Sequence, residues 1–409
     1  MSEETINSSA TTEECPKLNK KDLVLSLGAI LLCSCVLSGA IPSAFVGFAS
    51  AALFAYTVIA IRNISAVIQI LLTGVLTTVL TFLPGVGAAT LALILGTGTL
   101  AWLFMTLPKN KWVPILLLAA SYGLGFLVTS NPVTALPAFA FLPAAALMAW
   151  AHARDIGRTL TVLHAVLGFL LVALTALCIL LWRQYGGISY DVLMRFVNEI
   201  KELFVTVGTE AGKIFWESLE NAATQSAASS ESLAQLQKTY GEVFSEANLR
   251  VVADMMVGLA PGLIAVPLMI ISYLSDVVLL RKYYNTEWRS KMTPVACSLT
   301  ISPAAGVIYF VCFLIFMFAN KTSLFTMAIT NMCLILMPGL CLTGVNVILG
   351  NVRRATGWMK MASILFLVGA VCCMGITSVY FLALWGAYAT ISAALHQRII
   401  QKMKDENEK

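Results

Sequence analysis

Residues Thr159 to Trp182 read TLTVLHAVLGFLLVALTALCILLW, an apolar run interrupted by one histidine and a few hydroxyls. At about 1.5 Å per residue in a helix, such a run is long enough to cross roughly 30 Å of hydrocarbon. Lipid offers the backbone no hydrogen-bond partners, so a crossing segment is a helix or a strand of a closed barrel. The run lacks the alternation and the roughly 10-residue length of a barrel strand. It predicts a transmembrane helix.

Runs of the same kind recur on both sides of it. Breaks in hydropathy, with proline, glycine and charge as punctuation, predict spans near 23–41, 43–61, 64–83, 87–107, 112–130, 133–151 and 159–182. After a polar stretch they resume near 251–280, 300–319, 323–349, 358–375 and 377–395. The fold class is therefore all-α, a polytopic bundle of about twelve spans. Its expected parts are a tail over 1–22, a first bundle over 23–183, an outer amphipathic segment over 184–250, a second bundle over 251–395 and a tail over 396–409.

Composition agrees. Hydrophobic residues make up 59% of the chain and charged residues 11%, with a mean hydropathy of +0.85. Soluble domains carry roughly 25% charged residues. The net charge of +5 does not argue for nucleic acid, because the basic residues sit in short clusters between spans. Most of the ten cysteines fall inside apolar runs, without a CxxC pair or an adjacent histidine, and read as small buried hydrophobes. No metal or cofactor is expected.

The clusters also orient the chain. Every second turn is basic: Arg62; Lys109 and Lys111; Arg154 and Arg158; Arg281, Lys282, Arg289 and Lys291; Arg353, Arg354 and Lys360; then Arg398, Lys402 and Lys404. The opposite turns, at Ile41-Pro42, Pro84-Gly85, Asn131-Pro132, Lys321 and around Gly375, are nearly free of charge. Positive charge stays inside, so both termini are expected in the cytoplasm of a multi-pass cell-membrane protein. The first run follows Lys17, Lys20 and Lys21 and ends on Ser38-Gly39-Ala40, which resembles a signal-peptide cleavage site. The next run starts almost at once at Pro42, so the first is read as a retained span.

The same rule places 184–250 outside. Val192, Phe196, Ile200, Phe204 and Val207 recur at helical spacing, and Ile214, Phe215 and Leu219 continue the pattern. A Ser/Ala-rich break from Ser226 to Ser232 precedes a second expected helix carrying Leu233, Leu236, Tyr240 and Phe244. This hairpin is acidic on balance. Its apolar stripe calls for a partner: its own second helix, the span ends or the membrane interface.

Polar residues at membrane depth are the functional candidates, because burial there is costly. In the third span Gln69, Thr73, Thr77 and Thr81 line one face; such a stripe either joins helices or lines a solvated cavity. The fourth span adds Gly96-Thr97-Gly98-Thr99, where the bare backbone of Gly96 and Gly98 could meet a neighbour or a solute. Pro137 and its neighbouring prolines punctuate the sixth span, and Asn331 flanks the Pro338 break; broken helices build many transporter sites. His164 lies one turn inside the seventh span, and Asp254 in the first turn of the eighth, where a carboxylate also suits a helix N-terminus. Asp276 reads as an interfacial partner of the Arg281-Lys282 cluster, and His152 and His396 read as interfacial too. No H-E-x-x-H, G-x-S-x-G or phosphate-loop pattern occurs, so enzymatic activity is not expected.

Several features together resemble the YybS-like family of predicted bacterial membrane proteins. They are Ala60-Ile61-Arg62, the basic turn Arg154-Asp155-Ile156-Gly157-Arg158, the Ala260-Pro261-Gly262 span, Leu280-Arg281-Lys282 with Trp288, and the closing Leu384-Trp385-Gly386 before a basic tail. Ala387-Tyr388 stands where that family often has an acidic residue. The first six spans of such proteins are similar to substrate-binding subunits of energy-coupling-factor transporters, so the resemblance implies solute capture. Two readings stay open: a protein of the lipid bilayer that binds or moves a small solute, and a scaffold that docks a protein partner through its outer hairpin.

Overall fold

The computed structural model describes residues 20–41, 84–107, 110, 112–154, 156–226, 241–284, 301–319, 323–354 and 377–407, with isolated residues in 45–53 and 357–365. Among these, every regular element is helical. In chain order they are α1 (Lys20–Leu37), α2 (Pro84–Thr106), α3 (Trp112–Thr129), α4 (Pro132–Ala135), a 3₁₀ turn (Leu136–Phe139), α5 (Leu142–Ala153), α6 (Arg158–Tyr185) and α7 (Tyr190–Ser226). A second 3₁₀ turn (Gly241–Phe244) leads to α8 (Glu246–Tyr284), α9 (Pro303–Phe318), α10 (Leu324–Arg354) and α11 (Thr377–Asn407).

Local chemistry sets the ends. Asn131 caps α4 by accepting the Val133 N–H at 3.0 Å, with Pro132 next in line. Ser302 caps α9 in the same way ahead of Pro303. Gly39 and Gly186, at φ +69° and +76°, turn the chain out of α1 and α6 in a conformation that a side chain would strain.

Seven helices among the described residues are long and apolar enough to cross a membrane, counting Pro132–Ala153 as one; Asp22–Leu37 and Pro303–Phe318 are shorter apolar helices. The spans expected near 43–61, 64–83 and 358–375 lie wholly or largely outside the described residues, as does the hairpin stretch 227–240. The sixth span is interrupted where its prolines stand, with the 3₁₀ turn at Pro137 between α4 and α5. Elsewhere two expectations change. The eighth helix starts at Glu246, so Asp254 stands in its third turn, not its first. Phe244 lies on a 3₁₀ turn, not on a second α-helix.

The chain divides into two compact units, Met1–Phe169 with Ile271–Ala296 and Leu170–Ile270 with Cys297–Lys409. In the first, α1 packs on α2, α3 and the 3₁₀ turn, and α2 also packs on α5. Leu91, Ala92, Leu95, Leu100, Ala101 and Leu103 of α2 are all fully buried, which explains why this helix is apolar around its whole circumference. The carbonyl of Ala138, at the break in the sixth span, accepts the Ser34 hydroxyl of α1 at 3.1 Å. A break inside an apolar bundle needs such a partner.

In the second unit α9, α10 and α11 form a three-helix set around Tyr309, Cys333, Leu340, Ala383 and Ala387. The α10 and α11 backbones meet at glycines: a Cβ on Gly344 would strike the Leu382 carbonyl oxygen, and one on Gly386 the Leu340 carbonyl oxygen. Small residues at such crossings are how apolar helices gain contact where lipid supplies no hydrophobic drive.

Candidate functional site

The first unit holds a buried charge cluster. Helix α5 ends at Ala153, and a tight turn follows in which the Ile156 N–H bonds the Ala151 carbonyl at 3.1 Å. This reversal brings His152, at the end of α5, and Arg158, at the start of α6, to the same carboxylate. Arg158 Nε donates to Asp276 Oδ2 at 2.7 Å, and His152 Nε2 lies 2.8 Å from Asp276 Oδ1. An ionised carboxylate only accepts, so this contact puts the proton of the His152 ring on Nε2. Asp276 is 0% exposed. Its neighbours on the α8 face, Tyr273 among them, are buried too, and the Arg158 guanidinium stands 5.2 Å from the Tyr273 ring. Arginine at a helix N-terminus opposes the helix dipole; here the carboxylate offsets that cost.

A second cation stands one and a half turns on. Lys282 Nζ donates to Ser26 Oγ of α1 at 2.7 Å and lies 5.2 Å from the Trp102 ring of α2. The start of α1, the end of α2, the α5–α6 turn and the C-terminal end of α8 therefore meet at one end of the unit. Two uncharged turns also meet, with Gly39 against Thr129 and Ser38 against Gly125.

Deeper in the unit lie three hydroxyls of another kind. Thr90, Thr106, Ser121, Thr129 and Ser275 each return their hydroxyl to a carbonyl four residues back, the usual solution in a helix. Thr97, Thr99 and Ser272 do not. Each is 0% exposed, and among the described residues none has a hydrogen-bond partner for its side-chain oxygen. Thr97 and Thr99 flank Gly98, and Gly98 abuts the backbone of Ser275 and the side chain of Val278. Buried polar atoms without partners are exceptions that call for a cause.

The residues singled out from sequence fare differently. Gln69, Thr73, Thr77 and Thr81 lie outside the described residues. Gly96 and Gly98 serve close packing: a Cβ on Gly96 would come within 3.0 Å of the Phe141 ring, and one on Gly98 would strike the Ser275 carbonyl. His164 Nδ1 stands 2.6 Å from the Leu160 carbonyl of its own helix, with its ring 5.4 Å from Trp150. Pro137 is exposed at the 3₁₀ turn. Asp254 pairs with Lys201 of α7 at 2.6 Å, so an ion pair replaces the helix-terminus role.

Asn331 has the most specific role. Its Oδ1 accepts the Gly262 N–H at 2.9 Å and its Nδ2 donates to the Gly258 carbonyl at 2.8 Å. An undisturbed helix would pair those two backbone groups with each other. The amide thus spans the turn containing Pro261, where a missing N–H weakens the ladder.

Sequence reasoning missed the Asp276 cluster, because Asp276 was assigned to the Arg281-Lys282 turn beside it. One signal was present: Asp276 is flanked by Ser272-Tyr273-Leu274-Ser275 and Val277-Val278-Leu279-Leu280, so it sits inside the apolar run and not at its edge. No family model matches the chain. No curated protein matches it, and neither does any solved structure.

Proposed function

We propose that this chain is a multi-pass integral membrane protein that binds a small hydrogen-bonding solute in its first unit, around the contact of α2 with the C-terminal part of α8. The observation that carries this reading is the trio of buried, partnerless hydroxyls at Thr97, Thr99 and Ser272. Leaving such groups unpaired inside an apolar bundle is unfavourable; Thr97 and Thr99 point to nearly opposite sides of α2, so a solute with its own donors and acceptors would complete the hydroxyls on the side it enters. The Asp276–Arg158–His152 cluster closes one end of the unit, where an ionisable group at membrane depth is a functional candidate by default. The basic turns gathered at that end favour a cytoplasmic placement for it, and with it cytoplasmic termini. The resemblance to YybS-like proteins points the same way.

The test is a thermal-shift screen of the purified protein in nanodiscs against sugars and polyols, amino acids, nucleobases and heterocyclic vitamins. The comparison is the triple variant Thr97→Val, Thr99→Val, Ser272→Ala. A class that stabilises the wild type and not the variant supports the reading. If no class shifts the wild type, or if both proteins shift equally, the reading fails.

A further inference from the structure

The second unit gathers sulfur at one place. Cys333 is buried in the core of the three-helix set with Tyr309 and Leu340, and Cys312, Met337 and Cys341 pack against the same core. On α10, Cys333, Met337 and Cys341 stand four residues apart, so they follow one face, each about 6 Å further along the axis. Cys312 comes from α9, one turn after Tyr309, and its thiol faces that of Cys333 across the α9–α10 contact. The Cys341 thiol is engaged elsewhere, since it donates to the Val379 carbonyl of α11 at 3.1 Å. That leaves two thiols and the Met337 thioether within one small core.

A second irregularity stands beside them. Tyr309 is 0% exposed, and among the described residues its hydroxyl has no hydrogen-bond partner. The Cys333 and Cys341 thiols are near enough for a charge on either to act on that hydroxyl. A neutral thiol is a weak acceptor and does little for a phenol O–H. A thiolate accepts well. What the arrangement lacks is a reason for a thiol to ionise in an apolar core.

We infer that Cys312 and Cys333 hold a soft monovalent cation of the Cu(I) class, with the Met337 thioether as a further ligand and the Tyr309 hydroxyl donating to a coordinated sulfur. Thiolate and thioether ligands select such ions, and two thiolates in line are a complete set for them. Zinc asks for four ligands in a tetrahedron. Among the described residues no three His, Cys, Asp or Glu side chains gather for a metal, so that demand is not met. Binding replaces two S–H bonds by two S–metal bonds and releases two protons, with no electron transferred. The bound centre then carries one negative charge, and the Tyr309 hydroxyl is the donor that offsets it. A disulfide between the same cysteines would use neither Met337 nor Tyr309. The site is independent of the solute proposed for the first unit.

The test uses the full-length chain in nanodiscs, isolated under nitrogen and titrated with Cu(I) as its acetonitrile complex against bathocuproine disulfonate. The chelator strips weak thiol sites, so the tightest ion alone stays, read from retained copper and the thiolate-to-copper charge-transfer band. The expected result is one Cu(I) held per chain, with two protons released. Cys312→Ser and Cys333→Ser each lose it, whereas Cys178→Ser, which removes an exposed thiol of α6, keeps it. Tyr309→Phe weakens retention about tenfold, because it removes a hydrogen bond to a charged sulfur, and leaves metal-free thermal stability equal or higher. That last pair of readings holds even where a serine variant does not fold. Equal retention by the wild type and Cys333→Ser would overturn the proposal, as would unchanged affinity in Tyr309→Phe. So would a wild type that retains no Cu(I), including one isolated with Cys312 and Cys333 already joined as a disulfide.

Discussion

Arg158 and Asp276 lie 118 residues apart in sequence, and Arg158 Nε donates to Asp276 Oδ2 at 2.7 Å. The pair joins the first turn of one helix to the fully buried face of another. Removing one partner leaves the other charge buried and uncompensated, which typically costs about 3–5 kcal/mol. Asp276→Ala is expected to lose that much, whereas Asp276→Leu with Arg158→Met recovers most of it. Thermal unfolding in detergent, followed by maleimide reaction of the buried thiols Cys33 and Cys333, measures both.

Asn331→Leu keeps the branching of the side chain and removes both of its bonds to the Pro261 turn. Interhelical hydrogen bonds in membranes average about 0.6 kcal/mol and reach about 1.7, so a loss of roughly 1–3 kcal/mol is expected. Asn331→Asp can donate to Gly258 only as the neutral acid, and as a carboxylate it sets two acceptors against each other, so its stability should fall as pH rises. The same unfolding assay ranks the three proteins.

Gly344→Ala and Gly386→Ala each force a methyl group against a carbonyl oxygen of the facing helix. Overpacking of this kind costs about 1–3 kcal/mol. Each variant should unfold at lower temperature, whereas Gly350→Ala, whose added Cβ meets nothing within 4 Å, should not.

Thr97→Val exchanges a partnerless hydroxyl for a methyl group of similar shape. Without solute the variant should match or exceed the wild type in stability, by up to about 1 kcal/mol. With the solute class found in the nanodisc screen, the wild type should gain more. A destabilised Thr97→Val would mean that the hydroxyl is already paired and that solute is not its partner.

The helical class and the apolar runs could both be read from hydropathy, because each is a one-dimensional signal. The depth of Asp276 could also be read, from the apolar residues on both sides of it. Its partners could not: nothing local to Arg158 or His152 says which distant helix lies across from them. The same holds for Asn331, which was picked out for its own neighbour Pro338 and serves the Pro261 turn of another helix. Gly96 and Gly98 were visible as a motif, yet bare backbone serves close packing as readily as solute access, and only contacts with Phe141 and Ser275 distinguish the two.

The first unit is assembled from residues 1–169 and 271–296, so it is interrupted in the chain by much of the second. On the ribosome Arg158 emerges 118 residues before its carboxylate. At about 5–20 residues per second, that is an interval of roughly 6–24 s. During it His152 and Arg158 lack the carboxylate that pairs them, and the face of α2 that carries Gly98 has not yet met α8. A chain released after residue 169 would stay in that unfinished condition, and a separately made fragment could complete it only by bringing Asp276.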